Sequence, residues 1–171
     1  MNTINIAYVD TPFGEILLGA YEGKLCLADW RDRKGRETIE KRVQKALQAT
    51  YIEKEDFVLK QTKEELEAYL KGERKIFDVP LLLLGTAFQK NVWEALMHIP
   101  YGTTLSYKEL AQIMGNQKAV RAVASSVGAN AISILVPCHR IIGSDRSLSV
   151  YAGGMKAKQI LLEIENNLFS V

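Results

Sequence analysis

A thiol, an imidazole and a guanidinium stand side by side at Cys138, His139 and Arg140, directly after Pro137. Apolar residues surround them, Ile132-Ser133-Ile134-Leu135-Val136 before and Ile141-Ile142 after. Ile and Val favour a buried extended segment, and Pro137 ends regular ladder pairing where the thiol begins. Two readings of Cys138 are open. Free Cys is among the most buried residue types, so the thiol can be plain core. Thiolate is also a nucleophile, and neighbouring basic groups lower a thiol's pKa. An apolar core gives His139 and Arg140 no reason to be there, so the surrounding elements have to decide.

The chain of 171 residues has room for one large domain or two small ones. Its 47% hydrophobic and 25% charged residues are those of an ordinary globular protein. No apolar run reaches the roughly 18 residues of a membrane span. The start, Met1-Asn2-Thr3-Ile4-Asn5, lacks the basic and apolar regions of a secretory signal, so a cytoplasmic protein is expected. Two cysteines far apart, Cys26 and Cys138, form no disulfide framework and agree with a reducing compartment. A net charge of +2 is too small for bulk attraction to nucleic acid; any such contact needs a local patch.

Three extended segments open the chain: Ile4–Val9, Ile16–Ala20 and Leu25–Ala28, separated by turns at Asp10–Gly14 and Glu22-Gly23. Cys26 reads as core within the third. Ile39, Val43 and Leu47 recur at helical spacing, which predicts a helix over 37–49. Thr62 and Glu65 have capping-box spacing, and Gly72 is a stop, which predicts a helix over 63–71. Phe77–Leu81 then reads as a last extended piece and a boundary, giving domains 1–80 and 81–171.

The second half changes to punctuated helices. Thr86 to Gln89 is a capping box opening a helix with Phe88, Val92, Trp93, Leu96 and Met97 on one side, ended by Ile99-Pro100-Tyr101-Gly102. Ser106 to Glu109 is another, starting a helix that runs through Met114. Gly115-Asn116-Gln117 turns the chain into a helix from Lys118 to Val127, closed by Gly128. Helix, short Gly turn, helix is the spacing of a helix-turn-helix, a weak signal when alone. The second helix sets Lys118 and Arg121 among small residues, which would let its backbone approach a partner closely. Lys156 to Asn167 reads as a closing helix.

These residues resemble the O6-alkylguanine-DNA alkyltransferases. The match runs in order over about residues 85–165, through Gly85-Thr86-Ala87-Phe88-Gln89, Val92-Trp93, Ile99–Thr104, Ser106-Tyr107, Ala119–Val123, Asn130, Pro137–Arg140 and Tyr151–Gly154. A weaker match covers Asp10–Gly14 and the hairpin after it. The resemblance implies an N-terminal α/β domain of ribonuclease-H-like fold. It implies a mainly helical C-terminal domain with a winged-helix-like helix-turn-helix. Cys138 would be the alkyl acceptor, and His139 its base through a water, oriented by Glu165. Asn130 would fix the turn before the acceptor. Tyr107 and Lys158 would favour departure of the guanine.

The implied partner is double-stranded DNA holding an O6-alkylguanine, and O4-methylthymine as well, flipped out of the stack. Arg121 would fill the vacated space from the minor groove, with Lys118, Ala119, Ala122, Ser125 and Tyr107 against the DNA. Ile141, Tyr151 and Ala152 would line the base pocket. A monomer acting once, with no cofactor and no membrane, is implied. A zinc site would consume nearly all of the two cysteines and two histidines, so no metal is expected. Rival readings are a non-enzymatic lesion binder, which the acceptor cysteine opposes, and a helix-turn-helix regulator. The chain departs from the family pattern at Arg146 and Val150, where Gly is usual, and at Ala131, where Pro is frequent. The first two imply a stiffer pocket loop that discriminates against bulky adducts.

Overall fold

The computed structural model describes residues 2–145 and 151–166. It divides into two compact units, Met1–Gly85 and Thr86–Val171.

The first unit is a four-stranded sheet with helices. Strands β1 (Asn2–Thr11), β2 (Gly14–Tyr21) and β3 (Lys24–Trp30) form an antiparallel meander, joined at the β2–β3 hairpin by Glu22 and Gly23, both at positive φ. That backbone matches the twist of the strands it connects. Helix α1 (Arg36–Leu47) buries Ile39 and Val43, each contributing about 1.5–3 kcal/mol of apolar burial. A single left-handed residue, Gln48, turns the chain directly into β4 (Ala49–Glu53), which pairs parallel with β1. The order is therefore β3-β2-β1-β4. This fourth strand is absent from the sequence reading, which carried the preceding helix through Ala49. Its alternating Thr50-Tyr51-Ile52 is a strand signal masked by the lack of any breaker.

Helix α2 spans Phe57–Leu70 and begins six residues earlier than the capping-box spacing implies. Its cap is Asp56, whose carboxylate accepts from Val58 N at 2.8 Å and also from Asn5 Nδ2 at 2.8 Å. Thr62 lies inside the helix and donates to Val58 O at 2.7 Å, as a mid-helix hydroxyl can. Glu65 turns away to accept from Asp78 N at 2.7 Å. Beyond α2 the chain runs along β3: Leu25 N donates to Pro80 O, and Leu82 N donates to Leu25 O. Cys26 is buried in β3, and desolvation pushes its thiol up to about 12, so it is inert core.

The second unit opens with α3 (Ala87–Met97), started by a complete Thr86/Gln89 capping box and burying Val92, Trp93 and Leu96. Phe88 is half-buried, and Met97 is 44% exposed, outside the apolar stripe assigned to it. A short strand, β5 (Leu105–Ser106), leads into α4 (Tyr107–Ile113), with Ser106/Glu109 as its box. Gly115, at positive φ, turns the chain through a 3-10 turn, Gln117–Ala119, into α5 (Val120–Gly128). After Pro137 a second 3-10 turn, Cys138–Arg140, precedes β6 (Ile141–Ile142), which pairs parallel with β5. The last helix is α6 (Met155–Ile164), with Glu165 as its C-cap. No helix among the described residues is long and apolar enough to cross a membrane.

Asp56→Ala should lower the stability of the first unit by about 1 kcal/mol or somewhat more, the cap loss alone being near that figure. Thr62→Ala should cost less, and urea midpoints of the two variants decide. A larger loss at Thr62 would return the helix start to residue 63.

Candidate active site

The segment expected to be a buried strand, Ile132–Val136, is instead a buried turn. Asn130 is the reason. Its Oδ1 accepts from Ile132 N at 3.0 Å, and its Nδ2 donates to Ile132 O at 3.2 Å and Val136 O at 3.0 Å. Val136 N returns to Ile132 O at 3.0 Å. One amide side chain thus does the hydrogen bonding that a neighbouring strand would supply. Ile134 takes φ of 72°, a conformation costing a β-branched residue on the order of 1–3 kcal/mol. Ala131 is buried at the start of this turn.

The same Nδ2 lies 3.2 Å from Cys138 Sγ. The two Nδ2 hydrogens are shared among Ile132 O, Val136 O and Sγ, and the share that reaches sulfur favours the thiolate over the thiol. Cys138 is 7% exposed and borders a cavity of about 30 Å³ shared with Tyr107, Val127, Gly128, Asn130, Tyr151 and Ala152.

Behind the thiol is a fully buried ionic cluster. Glu165 Oε2 accepts from His139 Nε2 at 2.8 Å and from Arg140 Nη2 at 3.1 Å. Oε1 accepts from Arg140 Nε at 2.9 Å and from Gly102 N at 3.0 Å. Arg140 Nη1 donates onward to Ile99 O at 2.7 Å. A carboxylate only accepts, so Nε2 of the neutral ring carries the proton and Nδ1 is the basic nitrogen. Burial pulls the His139 pKa down, the Glu165 hydrogen bond and charge oppose this, and the net direction is down. The downward shift favours the neutral ring, whose Nδ1 lone pair is the one that can take a proton.

Lys158 is also buried and donates its ammonium to Ile141 O. Burial lowers its pKa to about 8, with the Cys138 charge acting the other way. Neither Lys158 nor Ile141 lines the cavity; Ile141 stands in β6 with no exposed surface. Tyr107, the first residue of α4, does line it, and Tyr151 sets its ring edge-on to His139 at 6.4 Å. On α5, Arg121, Ala122 and Ser125 are exposed together with Lys118 just before it, Ala119 is half-buried, and Val123, Ser126 and Val127 face the core. Trp93 Nε1 donates to Ser126 O at 2.8 Å, tying α3 to the last turn of that helix.

The structure thus brings Cys138, Asn130, Tyr107, Tyr151 and Ala152 to one cavity and puts His139 and Glu165 in one cluster. Arg146 and Val150 lie outside the described residues. Sequence reasoning missed the parts played by Arg140, Gly102 and Ile99. A buried Arg beside a His was the available signal, since a charge inside a core needs a partner somewhere. Among the described residues, no three or more His, Cys, Asp or Glu side chains are grouped to hold a metal ion.

Lys158 has a pH signature. Below about pH 8 it is charged in both folded and unfolded chains, so its burial penalty is constant. Between about 8 and 10.5 the folded chain gives up the proton while the unfolded chain keeps it, so wild type gains stability as pH rises. The unfolding free energy of Lys158→Met minus that of wild type should therefore fall from pH 7 to pH 10. A flat difference would show that the ammonium keeps its proton throughout.

Comparison with known proteins places this geometry. The 6-O-methylguanine DNA methyltransferase ribonuclease-like domain matches residues 4–83, and the DNA-binding domain of the same name matches residues 87–167. The methylated-DNA–protein-cysteine methyltransferase of Methanosarcina acetivorans is 42% identical over 161 residues, covering 94% of this chain and 97% of the relative. The constitutive protein of that name in Bacillus subtilis is 40% identical over 162 residues, covering 91% and 92%. Mycobacterium tuberculosis OGT, solved in complex with DNA, superposes with a TM-score of 0.79 at 36% identity, covering 95% of this chain and 92% of that one. With both units matched in order, the chain belongs to the 6-O-methylguanine DNA methyltransferase family.

Proposed function

We propose that this protein repairs alkylated DNA by direct reversal, moving the alkyl group from O6-alkylguanine, and from O4-methylthymine, onto its own Cys138. The observation that carries this reading is the Asn130-bonded thiol of Cys138 on a small cavity, backed by a neutral, buried His139 held by Glu165.

The steps balance. The thiol proton passes through a water to His139 Nδ1, and Sγ attacks the alkyl carbon in line with the breaking bond. The S–C bond forms, the C–O6 bond breaks, and its electron pair goes to the guanine. Tyr107 donates a proton to the base as the charge develops, and Lys158 adds a nearby positive field. Tyr107 is then reprotonated from solvent while His139 releases the thiol's proton to solvent, so the net change is one proton carried from Cys138 to guanine. The products are guanine and a thioether at Cys138, which thiol exchange does not reverse, so each molecule acts once and needs no cofactor.

Delivery of the base supports the roles given to α5. The flipped nucleotide enters at the cavity that Cys138, Tyr151 and Ala152 line. Arg121 fills the gap left in the stack, entering from the minor groove. Lys118, Ala119, Ala122 and Ser125 form a low surface along the DNA, since small side chains suit a narrow groove. The protein works as a monomer in the cytoplasm, and two units of this size suffice for every step.

Intact-mass measurement after incubation with O6-methylguanine DNA should show a gain of one methyl in wild type and in Cys26→Ala, and none in Cys138→Ala. Unchanged wild-type mass with retained binding would make the protein a lesion binder, and a label mapped to Cys26 would move the acceptor. Arg121→Ala should slow repair in duplex DNA by on the order of tenfold or more, the cost of unaided unstacking, while leaving reaction with free O6-benzylguanine nearly untouched. Equal slowing of both reactions would remove Arg121 from base flipping.

A further inference from the structure

We infer that Arg140 is a positioning residue for alkyl transfer: its guanidinium fork fixes the Glu165 carboxylate so that one oxygen holds His139 in the tautomer the reaction needs. This rests on the reading of Cys138 as acceptor and His139 as its base.

The geometry is specific. Arg140 engages both oxygens of Glu165, Nε to Oε1 at 2.9 Å and Nη2 to Oε2 at 3.1 Å. Two parallel bonds fix the plane of the carboxylate, which a single contact cannot do. Its remaining nitrogen ties the fork to the start of the turn after α3 through Ile99 O at 2.7 Å. The Gly102 N–H takes a further site on Oε1 at 3.0 Å. With Oε1 so occupied, Oε2 is the oxygen presented to His139 Nε2, at 2.8 Å. Free rotation of the carboxylate would let the imidazole turn, exchange its tautomer, and aim the wrong nitrogen at the proton it must accept.

Charge acts in the same direction. Facing the His139 ring are Glu165 from the end of α6, Arg140 from its own turn, Lys158 from within α6, and the Tyr151 edge. Without Arg140, the negative charge of Glu165 would be balanced most closely by His139 itself, through protonation. A ring already protonated cannot accept the thiol's proton. The Arg140 guanidinium supplies that balance through the fork it sets on both oxygens of Glu165.

Single-turnover transfer from an O6-methylguanine oligonucleotide, followed over pH 5 to 9, tests this with Arg140→Met and Arg140→Lys. In Arg140→Met the acid limb of the rate profile should move up by about one pH unit or more, and the rate at pH 7 should fall by on the order of tenfold to a hundredfold. Arg140→Lys keeps the charge without the fork, so its limb should return part of the way while the rate at the alkaline plateau stays low. A folded Arg140→Met whose limb coincides with wild type, or moves down, would make Arg140 a stability residue and overturn the inference. Should Arg140→Met fail to fold, the 15N shifts of His139 in wild type and Arg140→Lys decide without any transfer being measured. A single Nε2-protonated ring in wild type that becomes a tautomer mixture in Arg140→Lys supports positioning; the same single tautomer in both overturns it. Failure of wild type to gain mass would sink the transfer reading, and it leaves this NMR comparison intact.

Discussion

The Glu165 carboxylate is the constraint on which the second unit depends. It lies at the end of α6 with 2% exposure and accepts from Gly102 N, His139 Nε2 and two nitrogens of Arg140. Three pieces of chain far apart in sequence, the turn after α3, the Cys138–Arg140 turn and the end of α6, meet on its two oxygens. A buried carboxylate is costly unless its hydrogen bonds are made, so the three pieces hold one another in place. The turn shows how tight the meeting is. Gly102 has φ of 80°, and a Cβ there would come within 3.0 Å of the Glu165 carbonyl. Tyr101 OH donates to Ile164 O at 3.1 Å from the same turn.

Around that cluster the fold stores strain where chemistry is proposed. The left-handed Ile134 and the buried ammonium of Lys158 each work against stability. Asn130 offsets the first by hydrogen bonding both ends of the turn, and the Ile141 carbonyl partly offsets the second. Replacing such groups with apolar ones is often neutral or stabilising in a core. Their presence beside Cys138 therefore fits a site in which each polar atom sets the protonation state or direction of another. The first unit shows the contrast: its thiol, Cys26, donates to Gly19 O at 3.5 Å and has a pKa driven up by burial.

The exposed face of α5 and the turn that carries Cys138 are joined through that helix. Val123, Ser126 and Val127 face the core, and Trp93 anchors the last turn through Ser126 O. The exposed side carries Arg121, Ala122 and Ser125, and the helix ends at Gly128, on the cavity, two residues before Asn130. Displacement of the helix axis would therefore be felt at the turn that shapes the acceptor.

By itself the sequence determined the two-part organisation, the first three strands, the capping boxes that open α3 and α4, the helix pair, and the motif that assigns the family. These are local matters, set by periodicity, caps and turn residues within a few positions of each other. It mistook Ile132–Val136 for a strand because β-branched residues speak for extension, while the Asn130 side chain that overrides them acts only once the turn closes. It started α2 at Thr62 because a capping box and a mid-helix Thr with a Glu three residues on share one spacing; Asp56, bonded to Asn5 across the sheet, settles the start. Tertiary structure alone decided that Arg140 belongs to Glu165, and that Lys158 bonds Ile141 O away from the residues lining the cavity. Those pairings join residues 25 and 17 positions apart, and no local rule ranks one distant partner over another; the need to satisfy buried charge does.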